Sequence, residues 1–302
     1  MTDLSIVILS WNTSALLRAC LDSIYKEDSE TFPEVIVVDN ASDDESVSMV
    51  ERGYADVILI RNQKNEGYAR GNNIGMERSS GNYILLLNSD TELKPGALRA
   101  MTSFLDSHPD YGACGAQLHN PDGSLQRACM RFPKLWDPLF FDTFIERLWP
   151  RNPVVQRYFM RDFDHAHSCD VQQPPGACFM VRRSLVDAVG MLDEDLFLFY
   201  NDVDFCRRIW KTGFKIRYIA EAKVLHHGGA STSKYHEFGL ELHRNRVRYF
   251  RKYFGLAGAA ITKFAVMLLW IELLARNLKE GHGLRSPGSR NVTDVFKEIL
   301  KT

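Results

Sequence analysis

Between residues 4 and 116 the chain alternates two hydrophobic patterns. Short aliphatic runs, Leu4–Leu9, Val35–Val38, Val57–Ile60 and Tyr83–Leu87, are separated by stretches whose apolar positions recur at helical spacing. Uninterrupted runs of that length predict strands buried on both faces, and their alternation with amphipathic segments predicts an α/β fold with a mostly parallel sheet flanked by helices. Asn12, Thr13 or Ser14 can cap a first helix with an apolar stripe of Leu16, Leu17, Cys20, Leu21 and Ile24. Ser42-Asp-Asp-Glu45 starts a second with acidic residues in its first turn, a third follows the turn at Asn65-Glu-Gly67 and reaches about Ser79, and Pro95 opens a fourth.

A polar cluster stands just past the carboxyl end of each strand: Ser10–Asn12, Asp39–Ser42, Asn65–Asn73 and Asn88–Asp90. In open α/β sheets that edge is where ligands bind, so the four clusters are expected to face one cleft. Residues 119–175 are less regular. They hold a turn signal at Asn120-Pro-Asp-Gly123 and nine aromatics between Phe132 and Phe163. Order returns with a strand over Ala177–Val181 and a helix opening at Asn201-Asp-Val-Asp204 and reaching about Thr212. A basic helix over 236–254 and a strongly apolar one over 257–278 follow.

Composition changes this picture in two respects. The 302 residues carry 37 basic and 38 acidic side chains, which gives no reason to expect nucleic-acid binding, but the balance is uneven. Residues 234–302 hold 13 Lys/Arg against 6 Asp/Glu, leaving 24 against 32 in residues 1–233. The six cysteines form no CxxC pair and, with no signal-peptide pattern at the N-terminus, read as reduced thiols of a cytoplasmic protein.

Four clusters carry candidate chemistry. Asp39 can accept a hydrogen bond from a pyrimidine N3–H or a ribose hydroxyl, although taken alone it reads first as a capping or turn aspartate. Asn88-Ser-Asp90 could hold Mg²⁺ or Mn²⁺ through one carboxylate with diphosphate oxygens completing the shell; it is also good turn chemistry. Asp202 and Asp204 lie at a helix start that stabilises their charge, and Asp202 could equally act as a general base screened by Phe197-Leu-Phe-Tyr200. His226, before two glycines, could approach a metal or phosphate or be structural.

Together and in this order the clusters resemble the family 2 glycosyltransferases of GT-A fold, in particular their rhamnosyltransferase-like branch. The resemblance rests on Ser5-Ile-Val-Ile-Leu-Ser-Trp-Asn12, Val37-Val-Asp-Asn-Ala-Ser-Asp43, Asn65-Glu-Gly-Tyr-Ala-Arg-Gly-Asn-Asn-Ile-Gly75 and Leu85-Leu-Leu-Asn-Ser-Asp-Thr91. Pro175-Gly-Ala177, Asn201-Asp-Val-Asp-Phe-Cys-Arg207, Lys211-Thr-Gly-Phe214 and His226-x-x-Gly229-x-Ser231 continue it over residues 4–253, thinning across 125–170. It implies a GT-A catalytic domain over 1–233, with a nucleotide-binding half (1–116) and an acceptor-binding half (117–233). It further implies sugar-nucleotide binding by Asn12, Asp39, Gly67, Asn72 and Asn88, a Mg²⁺ or Mn²⁺ ion at Asp90 and His226, and Asp202 as the catalytic base of an inverting transfer. The donor so implied is dTDP-L-rhamnose, with UDP-sugars as the alternative, and the acceptor is a hydroxyl of a cell-envelope glycan or a lipid-linked saccharide. Two positions depart from the pattern: Asn88 replaces the first aspartate of D-x-D, and Asn201 replaces the glutamate beside the base, which removes a negative neighbour and should lower the Asp202 pKa. These departures motivate a rival reading, a non-catalytic nucleotide-binding scaffold. A nucleotidyltransferase or dehydrogenase is disfavoured because no Gly-rich loop follows the first strand.

The tail, 234–302, bears on partners. Residues 255–275 suffice in length to span a bilayer, but Lys263 sits near the middle at a cost of about 2.5–3.5 kcal/mol. The expectation is therefore a peripheral interfacial helix beside a basic segment on the inner face of the membrane, or else a helix packed on the domain or on a second subunit of a homo-oligomer.

Overall fold

In chain order the elements are β1 (Leu4–Ser10), α1 (Ser14–Tyr25), β2 (Glu34–Asp39), α2 (Ser46–Gly53), β3 (Ile58–Arg61), α3 (Gly67–Arg78), β4 (Tyr83–Asn88), β5 (Thr91–Leu93), α4 (Ala97–Ser107) and β6 (Tyr111–His119). Then come a 3-10 turn at Asp137–Leu139, α5 (Phe144–Leu148), α6 (Pro153–Tyr158), β7 (Cys169–Asp170), β8 (Cys178–Arg182), α7 (Arg183–Val189), α8 (Asn201–Lys211), β9 (Lys215–His226) and α9 (Phe238–Lys279). The structure is a computed structural model and describes residues 3–27, 33–141, 143–230, 235, 237–279, 298–299 and 301–302. The chain divides into two units. The first comprises Met1–Met130, Phe163–Glu194 and Asn201–Ser231; the second comprises Arg131–Asp162, Asp195–Tyr200 and Thr232–Thr302.

The first unit is built on one nine-stranded sheet, ordered β3-β2-β1-β4-β8-β6-β9-β5 with β7 on β9. The strands β3, β2, β1 and β4 are parallel; β8 runs antiparallel to both β4 and β6, and β9 runs parallel to β6. Ile6, Ile8, Val35, Val37, Leu85 and Leu87 lie fully in the core with Leu17 and Leu21 of α1, each worth about 1.5–3 kcal/mol of burial. Glycines let α3 approach β1 closely. A Cβ added at Gly71 would stand 2.4 Å from Leu9 Cδ1, and one at Gly75 2.3 Å from Val7 Cγ1.

Several local expectations are corrected. Thr13 holds the N-cap position of α1 without capping it, because its hydroxyl bonds to Ser10 Oγ (3.1 Å) and Ser89 Oγ (3.0 Å). The Ser14 N–H is satisfied by Asp44 instead. Asp43 and Asp44 precede α2 rather than forming its first turn, and Pro95 lies outside α4, whose N-cap is Gly96 at φ 85°. Strand β6 is not predicted by the sequence pattern, because its glycine, alanine and cysteine positions lack the β-branched signature, although all but the last residue are buried.

In the second unit α9 is interrupted at Gly255 (φ 63°, ψ −153°), the junction between the expected basic and apolar helices. The tail does not stand by itself. Buried Arg246 donates to Tyr200 Oη at 3.1 Å and lies over the Phe141 ring, while Arg147 of α5 pairs with Glu272. Arg244 pairs with Glu241 and Glu298, and Arg248 donates to the Asp195 carbonyl. Much of the basic segment is thus engaged inside the unit. Arg251 and Lys252 are exposed, as are Leu256, Phe264 and Ile271 further along the helix. By length and composition alone the stretch Phe238–Glu272 is long and apolar enough to cross a membrane.

Candidate active site

The site is built wholly within the first unit, at the carboxyl edge of its parallel strands. Register places the strand ends side by side: Asp39 opposite Ser10, and Leu9 opposite Asn88. Asp39 is therefore two strands from Asn88, about 10 Å at ordinary strand spacing.

Asp39 is buried. Its Oδ2 accepts from the Ser42 N–H at 3.0 Å, and among the described residues its buried Oδ1 has no hydrogen-bond partner. A buried carboxylate oxygen left bare is costly unless a ligand donates to it. Asn12 shapes the same corner in a left-handed conformation (φ 55°), its N–H on Ser42 Oγ and its Oδ1 accepting from the Asp43 N–H. Gly67 (φ 79°) makes the turn into α3, held by Asn65 Oδ1 and by the Asn40 amide. Asn72 is turned into its own helix, its Nδ2 on the Tyr68 carbonyl at 2.9 Å. Its neighbour Asn73 was not singled out in the sequence, yet it clamps Leu192 through both backbone groups and donates to Glu194.

Asp90 follows β4 and is buried. Antiparallel pairing of β5 with β9 sets Thr91 opposite His226, and the ring of His226 brings Nε2 to 3.4 Å from Asp90 Oδ1. Burial alone would push the Asp90 carboxyl up; the neighbouring His226 ring and backbone N–H groups, Ala230's among them, outweigh it and hold the carboxyl below its usual value. Among the described residues no group of three His, Cys, Asp or Glu side chains is arranged to hold a metal. Ser231, the last residue of the His226 motif, lies outside the described residues.

Asp202 opens α8. Its Oδ1 accepts from the Val203 N–H at 2.8 Å, and a Cβ at Gly176 would come within 3.2 Å of Oδ2. With Tyr68, Leu86, Phe179, Phe205 and Cys206 it lines a cavity of about 20 Å³, room for one water. Part of the residue remains open to solvent, but the protein packed around the carboxyl desolvates it and raises its pKa above the ordinary 3.8. The lowering expected from the missing acidic neighbour is relative to a chain with glutamate at 201; against free aspartate, desolvation is the larger effect. Tyr68 stands between the carboxylates: burial raises its phenol pKa, and the charges of Asp202 and Asp90 raise it further. Its Oη reaches toward Asn88 Oδ1 (3.4 Å). Asp204, two residues from Asp202, is spent on Arg208, which also binds the carbonyls of Val189, Gly190 and Met191.

Asn88, Asp90 and Asp202 thus lie about Tyr68 and the end of β4, with His226 against Asp90, while Asp39, Asn12 and Gly67 form a second cluster on the same edge.

A family model described as glycosyl transferase family 2 matches residues 5–190, more than half of the chain. The N-acetylglucosaminyl-diphospho-decaprenol L-rhamnosyltransferase of Mycobacterium tuberculosis is 29% identical over 246 residues, covering 78% of this chain and 79% of the relative. The dTDP-rhamnosyl transferase RfbF of Shigella flexneri is 22% identical, covering 76% and 72%. Among solved structures, the mannosyltransferase PcManGT of Pyrobaculum calidifontis, in complex with GDP-Man and Mn²⁺, superposes with a TM-score of 0.58 at 17% identity, covering 99% of this chain and 79% of that one. S. aureus TarS 1-349 in complex with UDP gives 0.53 at 17% identity, covering 92% and 72%. The fold is GT-A.

Proposed function

This chain belongs to glycosyl transferase family 2, and from that premise we propose that it is an inverting, metal-dependent glycosyltransferase that moves L-rhamnose from dTDP-L-rhamnose to a hydroxyl of a cell-envelope or lipid-linked saccharide. The observation that carries the reading is that Asp90, paired with His226, and Asp202 both lie close enough to Tyr68 for their charges to act on it. Asp202 takes the proton of the acceptor hydroxyl as its oxygen attacks the anomeric carbon, on the face opposite the departing dTDP. One displacement inverts the centre. Asp39 Oδ1 accepts from the thymine N3–H, which supplies the donor its buried position lacks. Asn12 and Gly67 shape that pocket, Asn72 stiffens it from within α3, and Asn88 faces the diphosphate.

Asp90 and His226 would hold a divalent cation. The fit rests on their geometry, a carboxylate oxygen and an imidazole nitrogen facing at 3.4 Å, two acceptors that need a proton or a cation between them. An imidazole ligand suits Mn²⁺ better than Mg²⁺. When bound, the ion neutralises charge growing on the leaving diphosphate. The M. tuberculosis relative's name supplies the class of acceptor to test first, a polyprenyl-diphosphate-linked N-acetylglucosamine. A peripheral contact of α9 with the inner face of the membrane, through exposed Leu256, Phe264 and Ile271 beside Arg251 and Lys252, fits such an acceptor.

Uracil offers Asp39 the same N3–H as thymine, so UDP-sugars are the second reading, and a TarS structure holds UDP. A panel of nucleotide sugars with Mn²⁺, read by thermal stabilisation, separates them. dTDP-L-rhamnose is expected to raise Tm most. A larger rise with a UDP-sugar would replace the donor, and no rise with any nucleotide sugar would overturn the reading.

A further inference from the structure

The turn Asn120-Pro-Asp-Gly-Ser124 stands out in the sequence and has no part in the chemistry above. It folds as a hairpin tip: the Gly123 N–H reaches the Asn120 carbonyl at 2.9 Å, with Gly123 at φ 83°, and the Asn120 N–H reaches the Ser124 carbonyl at 2.8 Å. The strand end is continued by Gln126, whose N–H bonds to the Leu118 carbonyl. Side chains of this turn form a chain of hydrogen bonds that ends on His226, and every link in it has a fixed direction.

Asp122, whose carboxyl is held below its usual value by bonds from Ser124, can only accept. The Ser124 hydroxyl therefore donates to Asp122 Oδ1 at 2.6 Å. Ser124 Oγ must then accept from Asn120, which fixes Nδ2 on that side at 2.8 Å and turns Asn120 Oδ1 toward Gln126. Gln126 Nε2 donates to that oxygen at 2.6 Å and to the His226 carbonyl at 2.8 Å. The carbonyl, which has no proton to give, excludes a flipped amide by itself. Gln126 Oε1 is thereby left facing His226 Nδ1 at 2.9 Å, so Nδ1 must carry a proton. In a neutral ring Nε2 is then a bare lone pair aimed at Asp90.

We propose that Gln126, oriented by the Asn120–Ser124 turn, is a positioning residue that keeps the proton of neutral His226 on Nδ1 and presents Nε2 as a ligand. Without it the Asp90 carboxylate, 3.4 Å from Nε2, favours the opposite tautomer, in which an N–H blocks the gap where a cation would sit. The inference takes its consequence from the reading of Asp90 and His226 as a cation-holding pair, but the tautomer itself does not depend on that reading. Ligating imidazoles elsewhere are held in the same way by a partner on the second nitrogen.

The test is ¹⁵N NMR of the His226 ring in the metal-free full-length chain, at a pH where the ring carries one proton. Nδ1 is expected protonated and Nε2 bare in the wild type. Gln126→Met, of similar length but without an acceptor, is expected to move the proton to Nε2, and Gln126→Glu, which keeps an acceptor, to leave it on Nδ1. A wild-type ring protonated on Nε2 overturns the proposal, and that result needs no variant to fold. Mn²⁺ titration followed by electron paramagnetic resonance adds the consequence: binding is expected to weaken roughly 10- to 100-fold in Gln126→Met and to stay near wild type in Gln126→Glu. Equal Mn²⁺ affinity in wild type and Gln126→Met also overturns the proposal. A wild type that binds no Mn²⁺ while keeping Nδ1 protonated sinks the cation reading and leaves the tautomer assignment standing.

Discussion

The backbone N–H of Asn88 donates to the Ala177 carbonyl at 2.9 Å, and this bond ties the two halves of the site together. Asp90 lies two residues beyond Asn88, and Gly176, beside Ala177, lies against the Asp202 carboxylate. The first carboxylate comes from the strand edge, the second from the start of a helix more than a hundred residues later. Their separation is therefore set by sheet register rather than by a flexible loop.

The raised pKa of Asp202 has a kinetic sign. A carboxyl acts as a base only when ionised, so transfer falls as pH drops through its pKa in the folded protein. Desolvation by burial raises that pKa, so the acid limb of kcat/KM is expected above the ordinary aspartate value of 3.8. A pH–rate profile checks this, and a limb at or below 3.8 would contradict it.

Asp39→Ala removes the carboxylate whose Oδ1 stands bare in a buried position. Nucleotide affinity is expected to fall roughly 10- to 100-fold, from about 1.5–3 kcal/mol for a hydrogen bond to a charged group, with kcat at saturation little changed. Calorimetric titration with dTDP measures it. Undiminished affinity would remove Asp39 from the pocket.

Gly75→Ala tests the packing that carries α3. Alanine favours the helix by about 1 kcal/mol, but its methyl would stand 2.3 Å from Val7 Cγ1 on a stiff β-branched side chain. Overpacking costs about 1–3 kcal/mol, so net destabilisation is expected in denaturant unfolding. A stabilised variant would show that the helix and sheet can part without cost.

Deleting residues 255–302 is expected to move the protein from the membrane fraction to the soluble one, with exposed Leu256, Phe264 and Ile271 removed. Unchanged partitioning after fractionation would count against a peripheral contact.

The parallel half of the sheet was legible because β1, β2 and β4 are aliphatic without alternation, a pattern that burial on both faces requires. Strand β6 was not, since Gly112, Ala113, Gly115 and Ala116 carry little β-propensity and are small because the sheet is crowded there: a Cβ at Gly115 would stand 2.4 Å from Pro174 Cβ. The polar clusters past the strands could be found from spacing alone. Their internal division could not. Asp202 and Asp204 look alike at a helix start, and only packing shows that Asp204 is committed to Arg208. Gln126 gave no signal at all, because its meaning depends on the β6–β9 pairing that brings a histidine from a hundred residues away.

The most direct measurement follows sugar transfer from dTDP-L-rhamnose with Mn²⁺ and a polyprenyl-diphosphate-linked N-acetylglucosamine, in the wild type and in Asp202→Asn. Loss of the base is expected to lower kcat by about 10²- to 10⁴-fold while dTDP affinity holds. Turnover of the variant at the wild-type rate would contradict the assignment of Asp202 and, with it, the mechanism built around it.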